Sequence, residues 1–261
     1  MLAVERAGYI MDLLMKNQFA LVADLSKELN VSEETIRKDL EKLEKKGKLN
    51  RVHGGAYLNE GYGNETPVAV RSNLYKNIKA ELAEKCMGLI KEKETVFLDC
   101  STTVSYLAEE LSSYEKKLTV VTNSMLAASK LMANTNIRLI LLGGELNRDT
   151  ESFEGYTVFE ALERYHIDKA FISSAAIDGD SGMTDYTQSE ADVRRKVLQE
   201  ATECIFVADS TKTGKKSTYI IGDTDKITTF VTEGSIKDNV LLEKLNENNV
   251  KIIACEVKEF D

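Results

Sequence analysis

Seven short apolar runs between residues 95 and 256 restrict the fold more than any other feature: "TVFLD" (95–99), "LTVVT" (118–122), "IRLILLG" (137–143), "KAFISSA" (169–175), "ECIFVAD" (203–209), "ITTFVTE" (227–233) and "VKIIACE" (250–256). Each has strand composition, and helical stretches separate most of them. That alternation predicts an α/β domain around a largely parallel sheet. With 261 residues, 43% of them hydrophobic, the chain can fill such a core and a smaller one beside it.

The first 58 residues carry a different pattern. Leu2, Ile10, Leu13 and Leu14, then Val22, Leu25 and Leu29, then Ile36, Leu40 and Leu43 recur with helical period and predict three short helices. Only "NVS" separates the second from the third, which leaves room for a tight turn. Asn30 suits its left-handed position, Ser32 is an N-cap with Glu33 and Glu34 in the first turn, and Gly47 stops the helix. "KLNRVHGGAYL" then reads as two short strands around a turn, a small wing. The Gly- and Asn-rich stretch 59–71 holds Pro67, the chain's one proline, and is the linker candidate. The expected domains are therefore 1–58, a linker over 59–74, and 75–261.

Charge divides along the same boundary. Residues 1–58 hold ten Lys/Arg and nine Asp/Glu, which leaves 24 basic and 34 acidic residues, a net charge of −10, on the rest of the chain. Within 37–53 seven basic residues face three acidic ones. A basic stripe on an acidic body suits a polyanion that touches one end. Helix, tight turn, helix and wing is a geometry that lays its second helix in the DNA major groove. With Ile36, Leu40 and Leu43 turned inward, Thr35 and Arg37 are the base-reading candidates, since the planar Arg fork matches guanine. Lys38, Lys42, Lys48 and Arg51 are phosphate candidates, and His53 on the wing is placed to touch the backbone or minor groove. The residues alone also fit a protein-interaction module.

In an open α/β sheet ligands sit at the carboxyl ends of the strands. Ser101, Thr102 and Thr103 follow the first run and open a helix, which makes an anion cradle of hydroxyls and backbone N–H groups. Asn123 and Ser124 follow the second run. Gly144 and a loop carrying Arg148 follow the third, Asp178 and Glu190 come after the fourth, and Lys212 follows Asp209 after the fifth. Carboxylates accept from sugar hydroxyls, while hydroxyls, N–H groups and Lys hold phosphate. A site for a polyhydroxy, phosphorylated ligand is expected.

At these residues the chain resembles the DeoR-type bacterial transcription regulators. "VSEETIRKDLEKLEKKGKLNRVHGGA" is similar to their DNA-binding signature, with Lys38 where Arg is usual and Asn30 where Gly is usual. "VFLDCSTTV", "LTVVTNS", "ILLGGELN", "DKAFISSAAIDGDSGMT", "EADVRRKVL" and "VADSTKTGK" resemble successive segments of their effector domain, with Ser101 at a usual glycine. The resemblance implies a winged helix-turn-helix followed by a Rossmann-like domain related to ribose-5-phosphate isomerase, binding a sugar phosphate. By position it puts Ser101, Thr102 and Thr103 at the phosphate, Asp99, Asp178 and Glu190 near sugar hydroxyls, and Lys212 near charge; Lys79 matches a family lysine.

The expected function is thus a regulator, of the repressing kind commoner in that family, that binds double-stranded operator DNA under control of a phosphorylated sugar. Paired half-sites call for a homodimer or homotetramer. The alternative is a sugar-phosphate isomerase with Glu190 or Asp178 as base and Lys212 as electrostatic support. No run approaches the ~18 apolar residues of a membrane helix, and Glu5, Arg6, Asp12 and Lys16 interrupt the start as no signal peptide does, so no membrane partner and a cytoplasmic location are expected. Cys86, Cys100, Cys204 and Cys255 lack metal-ligand or disulfide spacing, so free thiols, no metal and no cofactor are expected.

Overall fold

The computed structural model describes residues 2–17, 19–52, 54–58 and 68–255. Contacts divide the chain into two units, one to Lys76 and one from Asn77.

In the first unit α1 (Ala3–Asn17), β1 (Phe19–Leu21), α2 (Val22–Leu29), α3 (Glu33–Lys45), β2 (Asn50–Val52), β3 (Gly55–Tyr57) and α4 (Val68–Asn73) follow in order. Ile10, Leu14, Val22, Leu25, Ile36, Leu40 and Leu43 meet in one core, as their spacing predicts, whereas Leu2 is exposed. Asn30 ends α2 in the left-handed conformation, with φ 50°. The Ser32 hydroxyl accepts from the Thr35 N–H at 3.3 Å and caps α3. Gly47 closes α3 at φ +66°, with Lys48 N–H donating back to the Leu43 carbonyl at 3.0 Å. The wing has a third strand that the sequence did not announce: β1 pairs with β3, giving the antiparallel order β1-β3-β2. A side chain at Gly55 would come within 2.6 Å of the Ala20 carbonyl oxygen, which is why this strand begins with glycine. Of the expected linker, 59–67 lie outside the described residues and Val68–Asn73 form α4.

The second unit runs through α5 (Lys76–Met87), β4 (Thr95–Leu98), α6 (Val104–Leu111), β5 (Leu118–Thr122), α7 (Met125–Leu131), β6 (Ile137–Leu141), β7 (Glu145–Asn147), β8 (Ser152–Glu154), α8 (Tyr156–Leu162), β9 (Ile167–Ile172), β10 (Ala176–Asp178), β11 (Gly182–Asp185), α9 (Gln188–Glu200), β12 (Ala201–Val207), β13 (Tyr219–Gly222), β14 (Thr229–Glu233), α10 (Asn239–Glu247) and β15 (Lys251–Cys255). All seven apolar runs enter one sheet, order β15-β14-β12-β9-β4-β5-β6, and its pairs are all parallel. A strand covered on both faces buries every side chain, hence the continuous apolar runs. Apolar clusters fill the unit, one around Phe97, Phe206 and Phe230, another around Leu82, Leu98 and Phe171. A β7–β8 hairpin and a small antiparallel sheet β10-β11-β13 complete it.

The chain leaves β4 for β5 and β6, then crosses back to β9 on the other side of β4 and continues outward to β15. The switch point lies between β4 and β9. In an open sheet of this kind, that is where the crevice for a ligand forms. Among the described residues no helix is long and apolar enough to cross a membrane.

Candidate functional site

The outer face of α3 is polar and charged. Arg37, Lys38 and Lys42 are exposed, as are Lys48 and Arg51 beyond the helix, while Thr35 is half-buried with its hydroxyl 2.9 Å from that of Ser32. Arg37 pairs with Glu33 at 2.5 Å, Lys38 with Glu34 at 3.4 Å, and Arg51 with Glu44 at 3.6 Å. Exposed pairs of this kind contribute at most about 1 kcal/mol each, so an incoming phosphate can displace the carboxylate. His53 lies outside the described residues. On the opposite, inner face Asp39 is buried against Arg6 of α1 at 2.5 Å.

At the switch point of the sheet the segment after β4 is entirely buried, from Asp99 to Thr103. Asp99 accepts from the Ser101 N–H (2.9 Å) and hydroxyl (2.6 Å), and from the Ser173 N–H across the switch at 2.9 Å. The Ser101 hydroxyl in turn accepts from the Val104 N–H at 3.1 Å, so it caps α6 from within. Lys79 of α5 is buried and donates to the Thr102 hydroxyl at 3.1 Å. Lys212, in the turn after β12, donates to the Ser173 hydroxyl at 3.0 Å. Two cations and several hydroxyls thus meet where β4 and β9 end.

A second buried cluster adjoins it, centred on an arginine that the sequence reading missed. Arg194 of α9 pairs with Asp99 at 3.0 Å, Asp185 at 2.5 Å and Glu190 at 3.6 Å. All four are at most 4% exposed. Burial alone would lower the guanidinium pKa, but its carboxylate neighbours, Asp185 first, hold it well above its ordinary value. Asp185 moves the other way from what one partner would dictate. Burial raises its carboxyl, Arg194 pulls it down, and the Glu190 charge raises it again. Three carboxylates share one guanidinium, so the cation gains from all while each anion receives a fraction. Glu190 is also tied to the N-cap of α9: its N–H donates to the Thr187 hydroxyl at 3.4 Å, and that hydroxyl donates to its carboxylate at 3.1 Å. The Cys100 thiol, pushed above its ordinary pKa by burial, donates to Glu190 at 3.6 Å. All four cysteines are free and buried.

Asn123 is buried after β5, beside β4, whose Leu98 carbonyl accepts from the Thr122 hydroxyl at 2.6 Å. Three other expected residues stand apart. The Asp178 carboxylate accepts from the N–H groups of Asp180 (2.8 Å) and Ser181 (2.6 Å) at the closed end of the β10–β11 hairpin, while Asp185 sits at the open end. Arg148 is exposed in the turn between β7 and β8, and Gly144 lines a depression with Glu154 and Tyr156.

Residues 6–61 match the model of the DeoR-like helix-turn-helix domain, and residues 75–234 that of the DeoR C terminal sensor domain. The chain is 34% identical to the uncharacterized HTH-type transcriptional regulator YulB of Bacillus subtilis (strain 168), with 99% of each chain covered. It is 31% identical to the HTH-type transcriptional repressor GlcR of the same organism, over 98% of this chain and 97% of that one. It is 32% identical to the L-fucose operon activator of Haemophilus influenzae, over 85% and 88%.

Proposed function

The chain belongs to the DeoR family of DNA-binding transcription regulators, and from that premise we propose that it controls a carbohydrate operon in response to a phosphorylated sugar bound at the β4–β9 switch point. The observation that carries this reading is that Lys79, Lys212 and the buried hydroxyls of 101–103 stand with a carboxylate cluster at the topological switch point of the sheet, the position at which open α/β sheets bind ligands. Cations and hydroxyl donors suit a phosphate, and carboxylates suit the hydroxyls of a sugar. The L-fucose operon activator, a relative whose name gives a sugar, supports the class of operon, and the repressor GlcR is a relative of the repressing kind.

The first unit supplies the DNA contacts in this reading. Arg37 reads bases; Lys38, Lys42, Lys48 and Arg51 meet phosphates, and a symmetric dimer or tetramer places two α3 helices on paired half-sites. Turnover as an isomerase has less support. Of its two base candidates, Asp178 is held by its own turn and Glu190 by Arg194 and Thr187.

Duplexes selected from a random pool supply the test. The full chain should bind the selected duplex more tightly than random DNA, and one of a panel of sugar phosphates, but not its unphosphorylated parent, should change that affinity. Linkage requires the duplex to change the affinity for that sugar phosphate by the same factor. Independent binding of the two would sink the regulatory reading, and conversion of the sugar phosphate would favour the isomerase.

Within the same assay Arg37→Ala should cost about 1–3 kcal/mol of discrimination between selected and random duplex. Lys48→Ala should weaken both about equally and reduce the salt slope by about one. The reverse pattern would exchange the two roles.

A further inference from the structure

Two buried polar atoms at the carboxyl edge of the large sheet have no hydrogen-bond partner among the described residues: Thr103 Oγ1, at the start of α6, and Asn123 Oδ1, immediately after β5. Both residues are at most 2% exposed. A third such atom, Thr232 Oγ1, lies near the carboxyl end of β14, which stands two strands from β9 and so away from the switch point between β4 and β9. Native chains leave few buried polar atoms unpaired, because each costs roughly the desolvation of the group.

The two atoms differ in what they can accept or give. The other end of the Asn123 amide is committed, since Nδ2 donates to the Phe153 carbonyl at 3.1 Å. Rotating the amide would set oxygen against oxygen there, so the unpaired end is the carbonyl oxygen. Phe153 in turn donates its N–H to the Asn123 carbonyl at 2.8 Å, which fixes the backbone of Asn123 against β8. An amide oxygen only accepts. The phosphoryl oxygens of a sugar phosphate dianion also only accept, so phosphate cannot be its partner, and an alcohol can. Thr103 Oγ1 is a hydroxyl, able to donate, and it follows the Thr102 hydroxyl that holds the Lys79 ammonium.

Resting on the reading of this edge as a phosphosugar site, we propose that Asn123 is a specificity-determining residue that accepts a hydrogen bond from a hydroxyl of the effector, while the phosphate lies on the Thr103 and Lys79 side. The site is then polarised. Inorganic phosphate engages one half of it, and a sugar phosphate engages both.

Isothermal titration of the full chain with inorganic phosphate and with a panel of pentose and hexose phosphates tests this. The tightest sugar phosphate should bind wild type more strongly than inorganic phosphate does. Asn123→Ala should weaken that sugar phosphate by roughly ten- to a hundredfold and leave inorganic phosphate within about twofold of its wild-type affinity, which also shows that the site has folded. Deoxy analogues of that sugar phosphate supply the second arm: one of them, lacking the hydroxyl that Asn123 holds, should bind wild type and Asn123→Ala about equally. Equal losses for both ligands in a folded Ala variant, no loss for either, or a loss in the Ala variant that every deoxy analogue shows in full would each overturn the proposal. Failure of the underlying reading has its own signature: wild type would bind no sugar phosphate better than inorganic phosphate.

Discussion

Replacing Arg194 by methionine is expected to destabilise the second unit by about 3–5 kcal/mol at neutral pH, the range for removing one member of a buried ion cluster. The guanidinium is 3% exposed and faces Asp99, Asp185 and Glu190, all buried. Methionine fills much of the volume but leaves three carboxylates in a low-dielectric site without their cation. Urea unfolding with hydrogen exchange, read over residues from Asn77 onward, measures the loss. A change under 1 kcal/mol would mean that the cluster is hydrated and that its geometry is not fixed by Arg194.

The same cluster sets a pH dependence with a definite sign. Asp185 is raised above its ordinary value in the folded chain, chiefly by burial. Between the unfolded value and the raised one the folded state therefore holds the extra proton, and stability falls as pH rises through that window. Asp185→Asn should flatten that fall. In the Arg194→Met variant the remaining carboxylates lose the cation that favours their charged forms, so its deficit should shrink as pH is lowered into the carboxylate range. A deficit that grows with acid would contradict the assignment.

Arg194 shows what the sequence carried and what it withheld. Glu190, Arg194 and Val197 stand at i, i+4 and i+7, with Ala191 and Val193 beside them, so the arginine lies on the buried stripe of α9, while its neighbour Arg195 is exposed. The doublet reads as two surface charges unless the stripe is traced through it. The same signal was present twice in the first unit: Arg6 leads Ile10 and Leu14 on α1, and Asp39 sits between Ile36 and Leu40 on α3. Spacing can reveal that a charged side chain is buried, but it cannot name the partner, which comes from another element. Sheet strands such as β4, β5, β9 and β14 were legible for the opposite reason, since a strand covered on both faces writes its burial into one continuous run, while the edge strands β6 and β15 are apolar but only partly buried. Three-residue strands such as β1 and β10 leave no period to detect. Hydroxyls after β4 pointed to an anion site, yet only the crossing from β6 back to β9 shows that Ser173 and Lys212 converge on them.

Arg6 and Asp39 lead to the second large effect. Their pair, at 2.5 Å and buried, ties α1 to the inner face of the helix whose outer face carries Arg37, Lys38 and Lys42. Asp39→Ala takes from Arg6 its carboxylate on α3 and should cost about 3–5 kcal/mol. Small domains have only about 5–15 kcal/mol to lose, so hydrogen-exchange protection in residues 2–58 should drop and binding to both selected and random duplexes should fall together. This pattern separates a structural role from a reading role, because Arg37→Ala should lower discrimination without lowering protection. Combining Arg6→Met with Asp39→Leu removes both charges and supplies apolar volume, and exchanges of that kind are often neutral or stabilising. Protection and DNA binding should then recover together. Recovery of the fold without recovery of binding would show instead that this pair sets the angle at which α3 meets DNA, over and above holding the unit together.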